Sequence, residues 1–313
     1  MDSSHRATIH QPGLKWAIVL LLVVVVSACQ SRAATPAGTF TPSTAIPASP
    51  ISPPTAQWAI SPQMVTFVND QGITLTGWVF KPSGSGPYPA VVMLHGCSGV
   101  YSYSDPAKGL AILYREWGDR LVKAGYVALL VDSFTPRQAE EDQCGNGSKG
   151  VSEVNDRPYD AYAALKYLHS QPYISADKIG LLGWSHGGSS TMATMDVTQF
   201  NPSLRFKAAV EFYPGCGLYG AFGGVSNSTW KPYAPLLILI ASADKIVKPR
   251  YCRTRVSQAQ TLGATNLSLT AFTDAHHSFD MARKIGNGFE QVDVDAKTAA
   301  DFQVMQFFAT WLR

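Results

Sequence analysis

The sequence predicts an α/β fold with a doubly wound, mostly parallel sheet that opens on an antiparallel hairpin and carries helices on both faces. Three observations carry that prediction. Uninterrupted apolar stretches recur along the chain, segments of helical spacing separate them, and two alternating β-rich stretches precede them all. Continuous apolar runs suit parallel strands buried on both faces, and strands alternating with helices build such a sheet.

The elements follow in chain order. At the N-terminus, His5, Arg6 and Lys15 supply positive charge and residues 16–26 run without a polar side chain. That run is shorter than the ~20 residues a bilayer-spanning helix needs, but it suits the apolar region of a signal peptide. It ends in Val26, Ser27, Ala28 and Cys29, small residues before a cysteine, as in the lipobox of bacterial lipoproteins. Residues 1–28 are therefore expected to be a cleaved signal peptide, with Cys29 lipidated and the domain held on the outer side of a membrane. The alternative is an uncleaved anchor in which Cys29 is incidental. Residues 29–60 are rich in Ala, Pro, Ser and Thr, with Pro42, Pro47, Pro50 and Pro53 spaced along them. Such a stretch cannot build a core and reads as a semi-extended tether. The folded domain is expected to occupy residues 61–313.

Within it, residues 64–68 and 73–80 are β-rich and joined by Asn69, Asp70, Gln71 and Gly72, a hairpin signal. Strands are predicted at 90–94, 126–131, 179–182, 208–212, 236–240 and 267–272. Helices are predicted at 110–124, 159–170, 253–262 and 296–312. No internal repeat is present. The formal charge of +3 is small for 313 residues. Basic residues are dispersed rather than clustered, which excludes a dedicated nucleic-acid binder. No metal-ligand spacing and no cofactor motif stand out.

Catalytic groups in such a sheet belong at the carboxyl ends of strands. Gly183, Trp184, Ser185, His186 and Gly187 match the Gly-x-Ser-x-Gly nucleophile elbow, directly after a predicted strand and before the small-residue run Gly187–Ser190. Ser185 is the candidate nucleophile, and Trp184 beside it a candidate substrate contact. A serine hydroxyl needs a base, and His276 and His277 both lie just beyond the last predicted strand. Asp244, a short turn beyond the strand 236–240, is the best-placed acid. Glu211 and Asp132 compete, but Glu211 lies within an apolar run and Asp132 precedes the nucleophile. Both read better as buried polar groups paired with local backbone or an arginine. Two backbone N–H groups should receive the negative charge of an acyl-transfer transition state. His186 would supply one, and Cys97, in the loop His95-Gly96-Cys97 after a strand, the other. Arg137 is a candidate for binding an acidic substrate group, although a solvent-facing loop role suits it better.

Cysteines other than Cys29 number four: Cys97, Cys144, Cys216 and Cys252. In an oxidising compartment they suggest two disulfides. Cys216 and Cys252 follow strands expected to be neighbours and form a plausible pair, which leaves Cys97 with Cys144.

From about Met64 onward the sequence resembles the dienelactone hydrolase family of α/β-hydrolases. The residues that carry the likeness are Val91 to Gly96, Gly125 to Ala128, Val131 to Phe134, Gly183 to Gly188, Tyr213 to Cys216 and His277 to Asp280. The resemblance implies an α/β-hydrolase fold with little or no lid. It also implies His277 as the base, because the family's histidine is followed by a small residue and then phenylalanine, as in His277-Ser278-Phe279. Two departures stand out: Ser185 replaces the cysteine nucleophile of the name-giving enzymes, and Gly96 stands where they carry a glutamate. The expected activity is a serine esterase or lactonase acting on a small-molecule ester, without a cofactor. An envelope peptidase or acyltransferase on the same triad, or a non-catalytic surface binding protein, are the alternatives. The oligomeric state is not legible in the sequence.

Overall fold

Continuous apolar runs become the buried middle of one eight-stranded sheet. The computed structural model describes residues 60–102, 109–139, 150–198, 203–218, 221–281, 284–285 and 288–313. The expectations for the signal peptide, Cys29 and the tether, and for Cys144, lie outside these residues. The domain falls within the unit Thr55–Arg313.

The predicted hairpin is β1 (Gln63–Val68) and β2 (Thr74–Phe80), antiparallel, with Asn69 Oδ1 accepting the N–H groups of Gln71 and Ile73 in the turn. The remaining strands are β3 (Tyr88–Leu94), β4 (Val127–Asp132), β5 (Ile174–Trp184), β6 (Ala208–Phe212), β7 (Leu236–Ala241) and β8 (Leu267–Phe272). Their order across the sheet is β1-β2-β4-β3-β5-β6-β7-β8. Every pair from β4 to β8 is parallel, and β2 joins β4 antiparallel. A small antiparallel pair, β9 (Lys284–Ile285) and β10 (Gly288–Phe289), was not anticipated; its strands are too short to show a period.

The helices are α1 (Ile112–Lys123), α2 (Arg157–His169), α3 (His186–Thr194), α4 (Pro249–Thr261) and α5 (Gln291–Leu312). Side chains along a strand point alternately to opposite faces, so each central strand feeds two cores. In β4, Val127, Leu129 and Val131 join the cluster under α2, α3 and α4, while Ala128 and Leu130 join the cluster under α1 and α5. Both faces are covered, which is why these strands read as unbroken apolar runs.

One feature of the order sets the place for chemistry. The chain moves from β3 outward to β4, then returns to lay β5 on the other side of β3. Connections leaving β3 and β5 diverge there, opening a crevice at the carboxyl ends of the strands. Leu94 and Gly183 are register partners at that point.

Candidate active site

The nucleophile elbow is built by close approach. Ser185 adopts φ 50° and ψ −112°, a strained conformation for a residue with a side chain. It is held by its N–H donating to Phe212 O at 2.9 Å. Both flanking glycines are required by space. A Cβ on Gly183 would lie 2.2 Å from Gly187 O, and one on Gly187 would lie 2.1 Å from Leu94 O. The turn thus presses α3 against the end of β3 and lifts the Ser185 hydroxyl out of the sheet.

Ser185, His277 and Asp244 meet. His277 Nε2 lies 2.9 Å from Ser185 Oγ, and His277 Nδ1 lies 2.7 Å from Asp244 Oδ2. This pairing is satisfied when the serine O–H donates to Nε2 and the Nδ1–H donates to the carboxylate. Asp244 is itself held: its Oδ1 accepts the N–H groups of Ile246 at 2.8 Å and Val247 at 3.0 Å. Each group comes from a loop beyond a strand end, those of β5, β7 and β8.

His276 takes another direction. Its N–H donates to Asp293 Oδ1, and its ring faces Glu290 and Asp293 at the start of α5, away from the serine. The rival acids are accounted for too. Asp132 Oδ1 accepts the N–H groups of Phe134 and Thr135, so it closes its own turn, as expected. Glu211 departs from expectation. It is fully buried on β6, and neither carboxyl oxygen has a hydrogen-bond partner. Burial pushes its pKa well above the usual carboxylate range, which favours the neutral form.

The loop after β3 lies against the nucleophile: a Cβ on Gly96 would sit 3.8 Å from Ser185 Cβ. Tyr114, on α1, accepts the Gly96 N–H through its hydroxyl at 2.9 Å. His95 Nδ1–H donates to Gly96 O, and its Nε2 accepts the Ser133 N–H; burial depresses its pKa well below 6.5, which suits that neutral tautomer. His186 is the first residue of α3, where backbone N–H groups have no acceptor within the helix. Its ring is also neutral. Burial, and then the neighbouring Arg157 guanidinium, lower its pKa to about 3, and Arg157 donates to Nδ1 at 2.8 Å.

Two candidate substrate contacts are corrected. The Trp184 side chain is buried in the core, donating from Nε1 to Asp280 Oδ2 at 2.8 Å and stacking on Phe212. A residue before the nucleophile is the last of β5, and strand alternation turns it inward. Arg137 is neither solvent-facing nor free: its guanidinium grips Asp160 at 2.8 and 2.9 Å and Ser133 O at 2.8 Å. Cys216 and Cys252 form the expected disulfide. Cys97 is also disulfide-bonded.

Several supporting residues had no assigned role in the sequence reading. Tyr213 packs its ring on His277, with centroids 4.6 Å apart, and donates its hydroxyl to Asp280 Oδ1 at 2.6 Å. Arg157 lies fully buried beneath the elbow, over the Phe134 ring. Tyr213 and Asp280 stood within the family-like motifs, but nothing local indicates that they touch. Beside the triad loops, a cleft of about 580 Å³ is bordered by Glu153, Gly217, Leu218, Val247 and Lys248, among others. It abuts the loop that carries Asp244 rather than the Ser185 hydroxyl itself.

A family model described as the dienelactone hydrolase family matches residues 75–312. The chain belongs to the dienelactone hydrolase family. A Bradyrhizobium protein named as a 2-oxo-3-(5-oxofuran-2-ylidene)propanoate lactonase is 29% identical over 174 residues, which cover 54% of this chain and 60% of that protein. A Synechocystis protein named for carboxymethylenebutenolidase activity is 25% identical over 270 residues, covering 81% of this chain and 98% of its own length. Among solved structures, an esterase of Pyrococcus furiosus superposes with a TM-score of 0.58 at 18% identity, over 82% of this chain and 95% of that one. That likeness speaks to the fold, an α/β-hydrolase.

Proposed function

We propose that this family member is a serine hydrolase acting on ester or lactone bonds through an acyl-enzyme on Ser185. The observation that carries the reading is the continuous hydrogen-bond path from Ser185 Oγ through His277 to Asp244. As Ser185 Oγ attacks the carbonyl carbon, His277 Nε2 takes its proton and Asp244 balances the imidazolium that forms. The former carbonyl oxygen, now negative, is received by the N–H groups of His186 and Cys97. Loss of one such donor typically costs about 3–4 kcal/mol. His277 then protonates the departing alkoxide. In the second half, His277 deprotonates water, which attacks the acyl carbon and releases Ser185. The same reading draws on the relatives named for lactonase and carboxymethylenebutenolidase activity. It also retains the N-terminal lipid anchor at Cys29, on the outer side of a membrane.

A fluorophosphonate probe tests the chemistry. The wild type is expected to be labelled with one equivalent per chain and Ser185→Ala to remain unlabelled. A panel of small esters, lactones and amides should then show turnover of the first two classes. Equal labelling of the two proteins would end the proposal, and a protein that hydrolyses only amides would turn it toward peptidase chemistry.

A further inference from the structure

Beside the triad lies a second constellation that hydrolysis at Ser185 does not use. His276 Nδ1 is 3.4 Å from Glu290 Oε2 and 3.4 Å from Asp293 Oδ2. These three ligand atoms lie within 4.8 Å of one another. Each is buried, and none has a hydrogen-bond partner. The Asp293 side chain is only 1% exposed. Its Oδ1 is satisfied by the His276 N–H at 2.9 Å, which turns the unpartnered Oδ2 toward the imidazole. Buried polar atoms are ordinarily paired, so three that converge on one point call for an occupant.

We propose that His276 Nδ1, Glu290 Oε2 and Asp293 Oδ2 bind one divalent transition-metal ion, zinc foremost. The separations argue for it. A gap of 3.4 Å is long for a charge-assisted hydrogen bond, but it is the edge of a tetrahedron whose centre lies ~2.1 Å from each corner, the usual zinc–nitrogen and zinc–oxygen distance. The donor set agrees. One imidazole with two carboxylates suits zinc, manganese or cobalt, whereas calcium and magnesium prefer oxygen alone. The carboxylates are also preorganised. Glu290 caps α5 and Asp293 lies in its first turn, three residues on, where the positive end of the helix dipole favours ionised side chains. His276 and Glu290 are each about a quarter exposed, so the cluster lies close to the protein surface.

The ion would be structural. His277 points the other way, to Asp244 and Ser185, so neither reacting atom touches the metal. It would clamp the residue immediately before His277 to the start of α5. The loop it holds is strained on both sides, with positive φ at Asp274 and Ser278.

The test uses the full chain without an affinity tag, stripped with a chelator and then titrated with zinc or cobalt. One equivalent should bind with Kd in the micromolar range or tighter. Saturation should raise the melting temperature by roughly 5 °C at a hundredfold excess over Kd. Cobalt should give the visible absorption of a tetrahedral site. Glu290→Gln, at a half-buried position, and Asp293→Asn, which keeps an acceptor for the His276 N–H, should each weaken binding at least tenfold. Absence of saturable binding by either metal would overturn the proposal. Binding unchanged in Glu290→Gln would do the same, by locating the ion elsewhere. None of these readouts depends on ester hydrolysis, so failure here and failure of the hydrolase reading are separable.

Discussion

Two adjacent histidines with different partners show how narrowly a role is assigned at the scale of one residue. His277 bridges Ser185 and Asp244, and His276 is turned to Glu290 and Asp293. Family resemblance selected His277, and the geometry places that ring, not its neighbour, against the serine. His277→Ala is therefore expected to reduce kcat for a simple aryl ester by at least ~10³-fold, and Asp244→Asn, which leaves the imidazole without its orienting carboxylate, by a comparable factor. His276→Ala should retain turnover to within about tenfold, since its ring is remote from the reacting atoms. Steady-state kinetics with circular dichroism as a fold check decides this. An active His277→Ala paired with an inactive His276→Ala would reverse the roles.

At the scale of an element, strand β6 carries a conflict that its neighbours do not. Its other residues are apolar, yet Glu211 is buried among them without a partner for either oxygen. Its register partner on β5, Gly183, carries no side chain that could donate to it. Because burial raises the folded-state pKa above the unfolded value, the native state holds a proton that the unfolded chain releases once pH passes ~4.3. Stability contributed by the neutral form is complete below that point and is lost as pH rises toward the folded-state pKa. Glu211→Leu removes the penalty and should stabilise the protein by about 1–3 kcal/mol at pH 8. The gain over wild type should shrink toward pH 4.5. Urea melts at the two pH values measure it, and a difference independent of pH would refute the account. Elsewhere the elements obey local rules. Gly183 and Gly187 are glycines because backbone oxygens occupy the space a Cβ would need, and a Gly-x-Ser-x-Gly spacing announces that crowding in advance.

At the scale of the whole molecule, the N-terminal expectations bear on where the protein resides, and they concern residues beyond those described. None of the described helices is long and apolar enough to cross a membrane. If Cys29 is acylated, several chains of buried methylenes, each contributing ~0.8 kcal/mol, hold the domain at a lipid surface. Cys29→Ser should move the protein from the membrane fraction to the soluble fraction of expressing cells. Retention of the variant in membranes would favour an uncleaved anchor.

Much of this protein was legible along the chain. The hairpin, the parallel strands and the helices follow from period and apolar run length, which are local properties. The elbow follows from steric demands that two glycines reveal. The family follows from motifs that extend through most of the domain. What a linear pattern does not carry is direction in space. Trp184 turns into the core while Ser185 turns out, and Arg137 closes on Asp160 instead of facing solvent. Only the folded chain brings His277 to a hydroxyl 92 positions away, and only there do His276, Glu290 and Asp293 converge. The reason is physical: periodicity records which face of an element is buried, whereas contacts between distant side chains depend on sheet order, register and loop paths that no single segment encodes.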